Sequence, residues 1–218
     1  MVILMPNLLI AMAKAKTTPI LLLAHGAGAP MDSPFLESFA ARIIARGVSV
    51  ARFEFDYMAQ RRHGRRKPPP RAEALMGEYA AAIAEVRTRH PKSAIWIGGK
   101  SLGGRVASMV AAAQFAAENI SGCVCLGYPF HPPKQPDKLR TAHLEALECP
   151  TLIVQGERDP FGTRPEVEGY ALSDSIQIAW IGDGDHDLKP RAKSGRTVGA
   201  NLDAAADAVA DFVTSRRR

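Results

Sequence analysis

Gly99-Lys100-Ser101-Leu102-Gly103 places a serine two residues from a glycine on either side, the G-x-S-x-G spacing of a serine nucleophile. Such a serine stands on a sharp turn between a strand and a helix, its backbone strained and its hydroxyl clear of the sheet edge. The glycines leave room because neither carries a Cβ. The turn also puts the Leu102 N–H at a helix N-terminus, where backbone dipoles favour developing negative charge. The flanking residues supply the expected context. Ala94–Ile97 reads as a short buried strand, and Val106, Met109, Val110 and Ala113 recur at helical spacing. Taken alone, the pentapeptide also suits a turn that binds a phosphate or nothing, so its partners decide.

A serine hydroxyl is a weak nucleophile until a base takes its proton and a third group orients that base. Asp159 and His186 follow Ser101 in that order, each in a loop directly after a strand-like run, Thr151–Val154 for the acid and Ile176–Ile181 for the base. His186 would accept the proton and Asp159 would fix its tautomer. Among the other histidines, His25 reads as a positioner of its loop, His63 and His90 lie in charged stretches, and His131 or His143 could reach the rim. Asp183, Asp185 and Asp187 read as parts of the turn around His186, and Asp56 is a weaker acid. The second oxyanion amide is expected in the glycine-bearing turn His25-Gly26-Ala27-Gly28, from Ala27 N–H with Gly28 next.

Positioning these groups requires alternating strands and helices. Ile20–Ala24 is a continuous apolar run suited to a strand buried on both faces. The spacing predicts helices over Phe35–Arg46, Ala72–Arg89 and Ala200–Val213, and strands over Val48–Phe55 and Ile120–Leu126. Asp137–Leu147 reads as a polar, helix-like stretch that could line the site but is too short for a large lid. The expected architecture is α/β: one domain over residues 20–218, a mostly parallel sheet of about six to seven strands covered by helices, and residues 1–19 as an extension or edge strand.

The chain has 218 residues, 46% of them apolar, enough for one sizeable core. Its net charge of +6 is concentrated in Arg61, Arg62, Arg65, Arg66 and Lys67 and in the tail Arg216–Arg218; the remaining 20 basic residues face 22 acidic ones. That is a near-neutral domain with a basic loop and tail, which argues against a nucleic-acid binder. A solvated rim loop is the plainer use of residues 61–67, and recruitment of an anionic substrate or partner the sharper one. Cys123, Cys125 and Cys149 have no metal-ligand spacing and read as buried thiols in a reducing cytoplasm. The apolar start, Met1–Met12, is interrupted by Pro6, lacks basic residues ahead of it and is too short to span a bilayer. An alternative is that the native chain begins at Met12.

From about Ile20 onward the chain resembles a small α/β-hydrolase. Within that fold it is similar to the hydrolase-like group that includes the testis-expressed proteins and a subunit of the nonspecific-lethal histone acetyltransferase complex, with bacterial relatives described as dienelactone-hydrolase-like. The strings that carry the likeness are Ala24-His25-Gly26-Ala27-Gly28, Gly98 to Arg105, Gly127-Tyr128-Pro129-Phe130-His131-Pro132-Pro133, Gln155 to Gly162 and Gly184-Asp185-His186. The resemblance implies Ser101, Asp159 and His186 as a triad by motif position. The family's N-terminal antiparallel hairpin is absent or reduced to one strand. The activity expected is hydrolysis of a small ester or related acyl compound through an acyl-enzyme, without metal or cofactor; the alternative is a protein-interaction module that keeps the fold and little activity.

Overall fold

The computed structural model describes residues 8–14 and 18–215; Met1–Asn7 and the basic tail Arg216–Arg218 lie outside them. In chain order the elements are β1 (Leu8–Ala11), β2 (Ile20–Ala24), α1 (Pro34–Ala45), β3 (Ser49–Phe53), α2 (Asp56–Ala59), α3 (Ala72–Arg89), β4 (Ile95–Lys100), α4 (Leu102–Ala116), β5 (Gly122–Leu126), β6 (Thr151–Gly156), α5 (Arg164–Val167), β7 (Ile176–Ile181) and α6 (Val198–Ser215). Among the described residues seven strands form one sheet in the order β1-β3-β2-β4-β5-β6-β7. Among the described strands only β1 runs antiparallel, pairing Leu8 with Phe53 through Ala11 with Val50. It is a single edge strand, and it precedes Met12.

The inner strands are apolar because both sheet faces are covered. Every residue of β2, β4, β5 and β6 is buried. On one face, Leu75, Tyr79, Ile83 and Val86 of α3 and Val106 and Val110 of α4 pack on Leu22, Ile97 and Cys125. On the other, Phe39 and Ile43 of α1 and Leu202, Val209 and Phe212 of α6 pack on Leu21, Leu23, Trp96 and Val154. The i, i+3, i+4 spacing along each helix produces one apolar stripe per layer.

This strand order dictates where chemistry can happen. From β2 the chain moves outward to β3, then crosses back to β4 on the other side of β2. A crevice opens outside the carboxyl ends of β2 and β4, where the two crossovers diverge. Among the described residues no large lid covers that edge.

Two local expectations are corrected. Asp137–Leu147 forms successive turns instead of a helix. Pro133 and Pro136 break its approach, and Leu144 and Leu147 give only one turn's worth of buried contact. The strand read as Val48–Phe55 ends at Phe53, because Phe55 turns the chain into α2. The start of the basic loop is ordered by α2 and a 3₁₀ turn at Gln60–His63, closed by Gly64 at φ 79°.

Candidate active site

Ser101 lies between β4 and α4 with φ 52° and ψ −113°. A non-glycine residue there costs of order 1–3 kcal/mol and persists only where neighbours over-determine it. The neighbours are close. The Ser101 N–H donates to Leu126 O at 2.9 Å, and Arg105 N–H donates to Ser101 O at 3.0 Å. A Cβ on Gly103 would sit 2.6 Å from both Ala24 O and His25 O, and one on Gly99 would sit 2.6 Å from Ala24 O. Helix α4 can therefore start against the end of β2 only because these positions have no side chain. Among the described residues, the Leu102 and Ala27 amide N–H groups have no acceptor, and both residues line the same cavity as Ser101.

Asp159 and His186 meet. His186 Nδ1 lies 2.8 Å from Asp159 Oδ2; the carboxylate side chain is fully buried and the imidazole 21% exposed. Asp159 also accepts from Gln155 Nε2 at 3.0 Å and from the Phe161 N–H at 2.9 Å. With Nδ1 engaged by a carboxylate, Nε2 is the nitrogen left for proton transfer. The Phe161 ring lies against the imidazole, 4.3 Å between centroids, and also lines the cavity with Ser101. The Ser101 hydroxyl makes no hydrogen bond among the described residues; such bonds commonly tighten only when substrate is present.

Gln155 was missed in the sequence. Its side chain accepts from Tyr128 N–H at 2.7 Å and donates to Tyr128 O, Asp159 Oδ2 and Gly162 O, so one buried amide joins the loops after β5 and β6. The signal was a polar side chain closing the apolar run Leu152-Ile153-Val154. Lys100 is the second omission. Its side chain is 9% exposed and its ammonium lies 3.2 Å from Asp187 Oδ1, which ties the elbow to the His186 loop. Burial pushes this lysine down, while Asp187, Asp159 and Asp185 pull it back up.

The competitors fall elsewhere. His25 is buried and accepts the Phe55 N–H on Nε2 at 3.2 Å, so Nδ1 carries the proton and donates to Gly26 O at 2.6 Å. It clamps the Ala27 turn, and burial lowers its pKa. His143 Nε2 meets Ser108 Oγ at 2.8 Å, and His131 Nδ1 meets Pro132 O at 2.8 Å. His63 is exposed and His90 half-buried. Asp183 pairs with Arg158 and Arg191, Asp185 accepts the Asp187 and Lys189 N–H groups, and Asp56 accepts from Gln60.

The cavity beside Ser101 measures about 560 Å³. Pro69 and Pro70 bring the end of the basic loop to its wall, joined by Arg71, Glu73, Arg105 and Arg140. Among the described residues, no helix is long and apolar enough to cross a membrane, and no group of three or more His, Cys, Asp or Glu side chains could hold a metal ion.

An alpha/beta hydrolase domain matches residues 17–214, and the chain belongs to that family. Similar solved structures agree on the fold. A dienelactone hydrolase from Anabaena variabilis is 19% identical, covering 98% of this chain and 100% of its own, with a TM-score of 0.74. An alpha-beta serine hydrolase homologue from Coxiella burnetii is 15% identical over 96% and 91%, TM-score 0.71. A serine hydrolase without a lid from Xanthomonas campestris is 15% identical over 97% and 91%, TM-score 0.68.

Proposed function

We propose that the protein is a serine hydrolase of the carboxylesterase type, cleaving a small ester or related acyl compound. The observation that carries this reading is the His186–Asp159 hydrogen bond at the sheet edge where Ser101 is held in a strained turn. Ser101 Oγ attacks the acyl carbon while His186 Nε2 takes its proton, and Asp159 stabilises the imidazolium. The carbonyl oxygen becomes an oxyanion facing the Leu102 and Ala27 amides. His186 then gives its proton to the departing oxygen, leaving an acyl-serine. Water, deprotonated by the same imidazole, attacks that ester and releases acid and free serine. The chemistry uses no metal or cofactor.

The finer likeness to the testis-expressed and nonspecific-lethal subunit group rests on the local strings quoted above. Residues 20–218 act as one hydrolase domain, with the preceding residues adding the edge strand. Three buried free thiols suit a reducing, cytoplasmic setting.

A fluorophosphonate probe tests the assignment. Wild type should label at Ser101 and Ser101→Ala should not, and Asp159→Asn should lower ester kcat by about 10⁴-fold. Folded protein that shows no Ser101-dependent labelling would identify an interaction module instead.

A further inference from the structure

We infer that the cavity beside Ser101 selects an anionic substrate, an ester whose acyl chain ends in a carboxylate or a like-charged oxyanion held by Arg105 and Arg140. This rests on the hydrolase reading for its chemistry and on an independent charge pattern for its specificity. Three guanidinium groups, Arg71, Arg105 and Arg140, line the cavity against the single carboxylate of Glu73. Among the described residues the Glu73 side chain pairs only with Arg105, at 2.9 Å to one terminal nitrogen. The Arg105 Nε is buried with no hydrogen-bond partner among the described residues, so Glu73 does not saturate this guanidinium. Arg71 and Arg140 side chains make no ion pair among the described residues.

Like charges are seldom gathered in a half-buried cleft without a counter-charge. Burial and then the neighbouring Arg105 push Arg140 down, and burial and then Arg105 push His143 down to about 4, with Glu73 opposing in both cases. The backbone fixes the arrangement. Arg105 is held one turn beyond Ser101 on α4, and Arg140 is anchored by its N–H to Phe130 O at 2.8 Å and by Tyr128 OH donating to Arg140 O at 2.8 Å. Guanidinium forks match planar oxyanions better than lysine would. The exposed Arg65, Arg66 and Lys67, followed by Pro68–Pro70, lead to the same opening. They would raise the arrival rate of an anion and make it fall with salt.

A matched pair of esters reads the inference: 4-nitrophenyl hexanoate and the mono-4-nitrophenyl ester of adipate, the same chain length without and with a terminal carboxylate. After subtraction of the Ser101→Ala blank, wild-type kcat/KM should favour the adipate ester, more strongly at low salt. The preference should fall about tenfold in Arg105→Gln and in Arg140→Gln, and rise in Glu73→Gln. Arg140→Lys should recover part of it. Calorimetric binding of adipate, weakened in both arginine variants, reads the same site without turnover, and phenyl phosphate in its place separates a phosphate from a carboxylate preference.

Ser101-dependent turnover with no preference for the anion, or a preference unchanged in both arginine variants, overturns the anion site and leaves the hydrolase reading standing. Adipate binding lost in the arginine variants, without Ser101-dependent turnover of either ester, does the reverse. Neither turnover nor binding overturns both.

Discussion

Ser101 adopts φ 52° because its surroundings leave its backbone no other path. Lys100 is still in register with Leu126 of β5, while Gly103, two residues on from the serine, already presses on the carbonyls that end β2. The turn is therefore as much a product of Gly103 as of the serine. Gly103→Ala would force a Cβ to within 2.6 Å of two backbone oxygens, and neither can withdraw without shifting the strand end. Overpacking of this kind costs about 1–3 kcal/mol, and fluorophosphonate labelling should fall with it because the strain would relax by moving Ser101. Gly28 makes the control, since a Cβ there meets nothing within 4 Å; Gly28→Ala should change stability by no more than about 0.5 kcal/mol. Urea unfolding of the two variants beside wild type gives both numbers. Equal destabilisation would mean that the close approach at Gly103 is not what holds the turn.

At the scale of elements, three loops carry the site, each leaving the carboxyl end of a parallel strand, and Lys100 is what joins the first to the third. Its ammonium is nearly buried, while its partner Asp187 is 70% exposed. Removing the charge therefore strands no buried carboxylate, and it removes a desolvation cost. Lys100→Met, which keeps the stem, should leave the thermal midpoint unchanged or raise it. The same change frees the loop bearing His186 from the elbow, and misplacing a base by an ångström can cost up to about 100-fold. The expected result is a kcat reduced by about 10- to 100-fold with KM little altered, measured on the hexanoate ester; a lower midpoint with kcat intact would make Lys100 structural only. The strand-then-loop pattern was readable in the sequence because a strand buried on both faces is a continuous apolar run, as before Ser101 and Asp159, while His186 follows the partly buried edge strand β7, whose run Gln177 interrupts. Gln155, Lys100 and Arg140 were not readable in the same way. The roles of Gln155 and Lys100 come from contacts across 27 and 87 residues of the chain, which no local period records. Arg140 was hidden in a stretch that resembles a polar helix but forms successive turns after Pro133 and Pro136.

Over the whole molecule, the basic charge and the buried histidines act in the same direction as pH falls. His25 and His143 both sit below the ordinary imidazole value of 6.5, His143 at about 4, and burial is the larger cause in each. The groups facing His143 are Ser108, Arg105 and Glu73, of which Arg105 lowers it further and Glu73 opposes. Around His25 the Gly26 carbonyl and Glu54 raise it, while Arg61 and Arg62 lower it. A base that is harder to protonate when folded is protonated first in the unfolded chain. Its contribution to stability is complete above 6.5 and is lost as pH falls toward its folded value. Ion-paired carboxylates such as Asp183, held at about 2 by Arg191, lose their contribution only at lower pH, below the usual carboxylate value. Across the interval from 6.5 down to about 4 the two histidines therefore lower stability as pH falls, opposed toward its acid end by Glu78, whose carboxyl is raised above the usual value by burial. Calorimetric midpoints at constant ionic strength should decline across that interval in wild type, and His143→Gln should flatten the decline even if its midpoint at neutral pH is lower. A variant whose midpoint falls as steeply as that of wild type would assign the acid sensitivity to other groups, the net positive charge first among them.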